Sequence, residues 1–114
     1  HGAKAIVVSN HGGRQLDTAP ATCEVLRYVV ESAGDLCEIY VDGGIRRGSD
    51  VLKAIALGAR AVCVGRPILW GLCVGGEAGA LEVLEILRRE LDEAMLLCGC
   101  AQLSAINRSL LAPD

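Results

Sequence analysis

Three short apolar runs alternate with amphipathic segments, and this alternation is the feature that most constrains the fold. The runs are Ala5–Val8, Glu38–Val41 and Ala61–Val64. They are rich in β-branched residues and end at a glycine or a polar loop, as buried strands do. Because a helical segment separates each strand from the next, we expect parallel strands joined by right-handed crossovers.

The segments between and after these runs are predicted to be helices. Pro20 and Gly34 bracket the first helix, Ser49 is the expected N-cap of the second, and Gly58 follows its end. The third carries an apolar stripe of leucines opposite charged residues. The predicted helices are Thr22–Ser32, Ser49–Leu57, Ala78–Leu97 and a short one that begins at Ser104.

The length of each strand–helix unit indicates an α/β fold of the barrel type. A barrel of eight such units needs roughly 250 residues, so a chain of 114 residues holds about three of the eight. The competing architecture is a doubly wound open sheet. Its usual G-x-G-x-x-G fingerprint is absent after the first strand. The sequence therefore predicts three βα units of a TIM (β/α)8 barrel.

Composition indicates a piece of a larger protein. Hydrophobic residues make up 52% of the chain and the mean hydropathy is +0.40, as expected for parallel strands that are covered on both faces. The chain begins at His1 rather than Met, and no targeting segment precedes the first strand. We expect that the missing part covers the remaining apolar surfaces.

Charge and cysteine spacing argue against several classes of function. A net charge of −3 does not provide the basic surface that nucleic acids require. No apolar run reaches the roughly 18 residues of a membrane span. The six cysteines are irregularly spaced, which favours reduced thiols, and Cys98 and Cys100 are closer than a usual zinc pair. We therefore predict no nucleic-acid partner, no membrane partner and no metal.

The loop after the first strand carries a histidine and an arginine separated by two glycines. His11 can accept a proton, and Arg14 offers a planar, positively charged guanidinium. The two glycines between them add little side-chain bulk. This pair suits a small anionic substrate that must lose a proton. Each residue also has an ordinary interpretation, since His11 could be a hydrogen-bonded loop residue and Arg14 could pair with Asp17.

The loops after the second and third strands predict a phosphate site. Barrel enzymes place their active sites at the C-terminal ends of the strands, and the last two loops often bind phosphate. The glycines of these loops allow a ligand to approach the backbone closely. The helix that starts near Ser49 is expected to point its N-terminus toward the same ends of the strands. Ordinary turns and a surface charge are the alternative. The stretches are Asp42-Gly43-Gly44-Ile45-Arg46 and Gly65-Arg66-Pro67.

At these residues the chain resembles the C-terminal part of the FMN-dependent 2-hydroxy-acid oxidases, a family that includes glycolate oxidase and the long-chain hydroxy-acid oxidases. The resemblance spans essentially the whole chain and implies that residues 1–114 are the C-terminal fragment of the barrel domain. Its motifs are Val8–Asp17, Asp42–Arg46, Asp50–Ala59 and Val64–Pro67, with weaker similarity from Trp70-Gly71 to Gly99-Cys100.

The resemblance implies that an (S)-2-hydroxy acid is oxidised to a 2-oxo acid, and that O2 reoxidises the reduced FMN to give H2O2. His11 would be the active-site base, Arg14 would hold the substrate carboxylate, and Ser9 would lie on the flavin. The FMN ribityl-phosphate would be lined by Asp42, Gly43, Gly44, Ile45 and Arg46, and Gly65 and Arg66 would complete the phosphate site.

The resemblance further implies a homotetramer in the peroxisome, although Leu111–Asp114 is not a peroxisomal address. The family's lysine near the flavin, the aspartate partner of the histidine and the substrate tyrosines would come from strands outside this chain. We expect the isolated chain to bind FMN poorly and to aggregate. The alternatives are a lactate- or mandelate-type dehydrogenase with another electron acceptor, and a non-catalytic truncated product.

Overall fold

The computed structural model describes residues 2–112 and contains one parallel three-stranded sheet. The strands are β1 (Ala5–Val8), β2 (Glu38–Asp42) and β3 (Ala61–Cys63), in the order β1-β2-β3. The bounds predicted for the strands differ from these by at most one residue. The helices are α1 (Thr22–Ala33), α2 (Gly48–Ala56) and α3 (Arg66–Leu97), with 3₁₀ turns at His11–Gly13, Leu103–Ala105 and Arg108–Leu110.

The helices of this chain pack on one face of the sheet. Val8 pairs with Val41, and Val41 pairs with Val62, so these side chains share a face. That face packs with Leu26 of α1 and Ala54 of α2 in the main core. A barrel wall carries its helices outside only, and so does each half of a doubly wound sheet on its own face. The three strands therefore fit a segment of a barrel, and the comparison with solved structures below decides between the two architectures.

The opposite face of the sheet is open to solvent in this chain. Val7 is 50% exposed and Cys63 is exposed, while Tyr40, which is paired with Val7, is half-buried. The Tyr40 hydroxyl donates a hydrogen bond to the Glu38 carboxylate, which raises the pKa of the phenol above its ordinary value. In a closed barrel, side chains from the other strands fill this interior face.

A second core holds α3 and the C-terminal segment against α2. It is built around Leu52, Ala56, Cys100 and Ile106. The two helices approach so closely at Gly48 that a Cβ there would lie 2.0 Å from the backbone nitrogen of Leu91. The start of α2, beside the second loop, is therefore fixed by its contact with α3.

Helix α3 starts at Arg66, twelve residues before the predicted Ala78. Pro67, interpreted from the sequence as a turn, lies in the first turn of the helix, where its missing N–H has no cost. The short helix predicted at Ser104 is replaced by the two 3₁₀ turns. Both differences depend on the local backbone conformation, which the spacing of the apolar residues does not indicate.

Helix α3 folds back on itself at Gly75 and Gly76, whose backbone angles are not helical. A Cβ on Gly71 would lie 2.4 Å from the carbonyl oxygen of Gly79. Residues eight apart in a straight helix are separated by about 12 Å, so the two segments form a hairpin. By length and composition alone, Arg66–Leu97 could cross a membrane, but the hairpin is not one straight span.

Candidate functional site

A cavity of about 630 Å³ opens at the C-terminal ends of the three strands. Parallel strands end at the same edge of a sheet, so the three predicted loops meet there. Ser9 is not part of the cavity wall but is joined to it through Asp42. All the other predicted site residues line the cavity: His11, Arg14, Asp42, Gly43, Gly44, Ile45, Arg46, Gly65 and Arg66.

The first loop is held by short hydrogen bonds to its own polar side chains. Ser9 Oγ accepts from the backbone N–H of His11 at 3.0 Å and donates to Asp42 Oδ2 at 2.8 Å. Asn10 Oδ1 accepts from the backbone N–H of Gly12 at 2.9 Å. His11 itself has a φ of +52°. Non-glycine residues rarely adopt such a conformation, and those that do are often found at functional sites.

The His11 ring is oriented by Gln15, which lies one helical turn further along the loop. Nδ1 of the ring contacts Gln15 Oε1. In the neutral tautomer that donates from Nδ1 to this oxygen, Nε2 keeps its lone pair. The exposed ring therefore presents a proton acceptor at the cavity.

Arg14 lies beside this acceptor with its charge available. Among residues 2–112 its guanidinium forms no ion pair, so the alternative pairing with Asp17 is not formed. The side chain is exposed and lines the cavity. The loop thus combines a base and an unpaired cation, which together can bind and deprotonate a small acid.

Arg66 links the third loop to the first. Its Nη2 donates to the carbonyl oxygen of Gly12 at 3.2 Å. A Cβ on Gly12 would lie 2.6 Å from the same nitrogen, and the residue has a φ of +64°. Gly12 is therefore needed both for its backbone conformation and for the close approach of Arg66.

The second loop places two glycines in the left-handed region with different surroundings. Gly43 packs against Asn10 and Thr22, whereas nothing lies within 4 Å of a Cβ on Gly44. Thr22 Oγ1 donates to the carbonyl oxygen of Asp42 at 2.7 Å and fixes the strand end. A ligand can therefore approach the backbone of Gly44 closely.

Carboxylates occupy part of the start of α2, which was expected to point to the mouth of the cavity as an anion site. The helix begins at Gly48, not at Ser49 as N-cap. Asp50 Oδ2 accepts from the backbone N–H groups of Arg46 and Arg47, each at 3.0 Å. Glu90 Oε2 accepts from Gly48 N–H at 2.9 Å. These bonds occupy the amide of Gly48 and the two amides before the helix, and of the first turn they leave the Ser49 N–H.

The start of α3 also offers free donors. The N–H groups of Ile68 and Leu69 both return to the carbonyl oxygen of Gly65. This leaves the amides of Gly65 and Arg66 without partners inside the helix. Nothing lies within 4 Å of a Cβ on Gly65. An anion at this point would also meet the guanidinium groups of Arg46 and Arg66, which line the same cavity.

The donor set fits a ligand with an anionic end and hydroxyl groups, as FMN has. Asp42 Oδ1 is buried and has no hydrogen-bond partner among the described residues, while Oδ2 is used by Ser9. An orphaned carboxylate oxygen is satisfied by a ligand hydroxyl or N–H. The ribityl hydroxyl groups of FMN would supply such donors, and its phosphate would match the two arginines.

Four supporting residues were not predicted from the sequence. Asn10, Gln15 and Thr22 hold the first and second loops, and Trp70 lies under Arg46 with its ring centroid 5.6 Å from the guanidinium carbon. The signals were weak, because Gln15 and Trp70 stand out only by a spacing of four from His11 and Arg66. The sequence predicts Thr22 only as the first residue of a helix.

Comparison with known proteins places these features in one family. A family model described as FMN-dependent dehydrogenase matches residues 1–113. The chain belongs to the FMN-dependent dehydrogenase family. The resemblance inferred from the loop motifs is thereby confirmed, as is FMN as the cofactor of the family.

The curated relatives are oxidases of 2-hydroxy acids. The chain is 56% identical over 111 residues to an L-lactate oxidase of Nostoc, which covers 97% of this chain and 30% of that protein. It is 54% identical to human 2-hydroxyacid oxidase 1, with the same coverage. A rice relative, 56% identical over 108 residues, is named a peroxisomal (S)-2-hydroxy-acid oxidase. The chain thus spans about 30% of the length of these relatives.

Solved structures confirm the barrel fold. A mandelate oxidase shares 53% identity and superposes with a TM-score of 0.89 over 94% of this chain and 33% of its own. The (S)-mandelate dehydrogenase of Pseudomonas putida shares 42% identity with a TM-score of 0.94, over 99% of this chain and 32% of its own. One of the mandelate oxidase structures contains an FMN adduct. The predicted βα units of an FMN-binding barrel are therefore correct.

Proposed function

We propose that this chain supplies one part of the active site of an FMN-dependent (S)-2-hydroxy-acid oxidase. The observation that carries the proposal is the shared cavity, in which the His11 base and the unpaired Arg14 face the anion site at Gly65 and Arg66. The oxidase names of the relatives support the choice of substrate class and of O2 as acceptor. Residues 1–114 would then be a C-terminal part of the barrel.

The first loop would bind and deprotonate the substrate. Arg14 would hold the carboxylate through paired, charge-assisted hydrogen bonds, which fix the 2-hydroxy group near His11. Nε2 of His11 would accept the proton in the tautomer that donates from Nδ1 to Gln15. The overall change is 2-hydroxy acid plus O2 to 2-oxo acid plus H2O2, so two electrons and two protons leave the substrate.

The second and third loops would hold the cofactor. FMN supplies the two-electron acceptor that O2 reoxidises. Arg46, Arg66 and the amide of Gly65 would bind its phosphate, and Asp42 Oδ1 would accept from its ribityl chain. The backbone of Gly43, Gly44 and Ile45 would line the ribityl-phosphate. Ser9, held between Asp42 and the His11 amide, would lie against the flavin.

The test needs a complete barrel, because the chain spans about 30% of its relatives. We define the completed protein as this chain joined to the remaining part of the Nostoc L-lactate oxidase in place of the matching segment. The completed protein should retain FMN and convert an (S)-2-hydroxy acid with consumption of O2. His11→Gln should lose about 10²–10⁴-fold in kcat while FMN stays bound.

Four results would contradict the proposal. Loss of FMN from the completed protein would remove the cofactor assignment, and retention of full activity by His11→Gln would remove the base. Turnover with a dye or quinone but without H2O2 would favour the dehydrogenase alternative, which the similarity to (S)-mandelate dehydrogenase supports. A protein that binds FMN yet turns over no 2-hydroxy acid would be the non-catalytic product.

Peroxisomal localisation and a homotetramer remain predictions from the family. The rice relative is named peroxisomal, whereas the Nostoc and Roseobacter relatives are bacterial. Fluorescence microscopy of the tagged protein and sedimentation of the completed protein would test the two predictions separately.

A further inference from the structure

We propose that Trp70 is a positioning residue of the anion site, where its ring holds the Arg46 guanidinium in place for the phosphate. The guanidinium carbon lies 5.6 Å from the centroid of the ring. A cation within about 6 Å of an indole face is attracted by the negative charge of that face. The inference rests on the proposed function, because the anion is taken to be the FMN phosphate.

Trp70 reaches the site because of its spacing from Arg66. The two residues lie four apart at the start of α3, so they are neighbours on one face of the helix. Arg66 donates to the Gly12 carbonyl, and Trp70 contacts Arg46 of the second loop. One helical face therefore brings both guanidinium groups to the same end of the cavity.

Arg46 needs such a support, because other contacts leave its side chain free. Its backbone N–H is bound to Asp50, but its guanidinium forms no ion pair within residues 2–112. A long flexible side chain loses rotamer entropy when it binds an anion. It also lines the same cavity as the like-charged Arg66. A flat aromatic surface orients the guanidinium without neutralising its charge, so the charge stays available for the phosphate.

The neighbouring Arg47 provides a matched comparison. Its Nη1 forms an ion pair with Glu90 Oε1 at 3.2 Å, and it does not line the cavity. Two adjacent arginines thus have different partners, an aromatic ring and a carboxylate. Arg47→Gln removes a positive charge one residue away from Arg46 and leaves the Trp70 contact in place.

The experiment compares FMN with riboflavin, which lacks the phosphate, in the completed protein. Trp70→Leu keeps apolar bulk but removes the ring, and we expect about two- to fivefold weaker FMN binding with riboflavin binding unchanged. Trp70→Phe retains an aromatic face and should restore part of the loss. Arg47→Gln should leave the ratio of the two affinities unchanged.

A double-mutant cycle distinguishes a failure of the proposed phosphate site from a failure of the role proposed for Trp70. Arg46→Gln should lower the FMN-to-riboflavin affinity ratio, and adding Trp70→Leu to it should cause no further change. No change of the ratio in Arg46→Gln would overturn the proposed phosphate site. A changed ratio in Arg46→Gln, with an unchanged ratio in Trp70→Leu, would overturn the role of Trp70 alone. Equal losses of FMN and riboflavin in Trp70→Leu would indicate a packing role and would also overturn it.

Discussion

Replacing Gly12 with alanine should weaken FMN binding by displacing the guanidinium of Arg66. Gly12 has a φ of +64°, and a Cβ there would lie 2.6 Å from Arg66 Nη2. Its carbonyl oxygen accepts a hydrogen bond from the same nitrogen at 3.2 Å. The guanidinium is the end of a flexible side chain, so it can move away from the new methyl group and lose this bond.

The size of the effect follows from two contributions. A non-glycine residue in the left-handed region costs about 1–2 kcal/mol of stability. A hydrogen bond to a charged group contributes about 1.5–3 kcal/mol, and this one is exposed, so we expect the lower end or less. Displacement of Arg66 should then cost about 1–1.5 kcal/mol of binding free energy, or about five- to tenfold in the Kd for FMN.

Gly13→Ala is the matched control, because it shares the backbone strain without the clash. Gly13 has a φ of +75°, and the nearest atom to its Cβ would be Asp17 Oδ1 at 4.0 Å. In urea, Gly13→Ala of the completed protein should lose the unfolding free energy of the backbone strain alone, and Gly12→Ala should lose the same amount plus that of the Arg66 hydrogen bond. In FMN and riboflavin titrations, only Gly12→Ala should lose FMN selectively. Equal loss of FMN in the two variants would refute the role assigned to the Gly12–Arg66 contact.

Three further substitutions test the substrate site, the second loop and the core. Arg14→Lys should lower kcat/KM for a 2-hydroxy acid by about 10- to 100-fold, since lysine cannot form the paired hydrogen bonds, while the Kd for FMN stays unchanged. Gly43→Ala should lose about 1 kcal/mol more of unfolding free energy than Gly44→Ala, because its Cβ would lie 3.0 Å from Asn10 Oδ1 and Gly44 is open; equal losses would contradict this packing. Leu26→Ala, at a fully buried position, should lower the unfolding free energy by about 2–5 kcal/mol in urea, and a loss below 1 kcal/mol would mean that the site is not a close-packed core.

The strands and the first two helices could be predicted from sequence because their signals are local. Ile39 and Val41 show a buried, β-branched run, and the glycine after α2 marks its end. The start of α3 could not be predicted in this way. Pro67 is compatible with both a turn and a helix start, and only the packing of the following residues decides between them.

The proximity of the site residues could be predicted from the strand topology. The hydrogen-bond and ion-pair partners of these residues could not. Parallel strands bring their C-terminal ends to one edge, so His11, Asp42 and Arg66 meet whatever the details of packing. The carboxylate on the α2 start comes from Glu90, 42 residues away from Gly48. No local pattern indicates which carboxylate will satisfy a helix terminus at that separation. The sequence predicts an anion site shared by the second and third loops and the start of α2, and it does not indicate that carboxylates occupy part of the α2 start.

The different surroundings of Arg46 and Arg47 depend on the folding back of α3. Arg46 contacts Trp70 and Arg47 pairs with Glu90, yet Cα atoms of adjacent residues lie only 3.8 Å apart. In a straight helix, Trp70 and Glu90 would be separated by about 30 Å, which is beyond the reach of two neighbouring side chains. The hairpin at Gly75-Gly76 brings both helical segments to the second loop. A feature outside the cavity thus determines which arginine remains available for the proposed phosphate site.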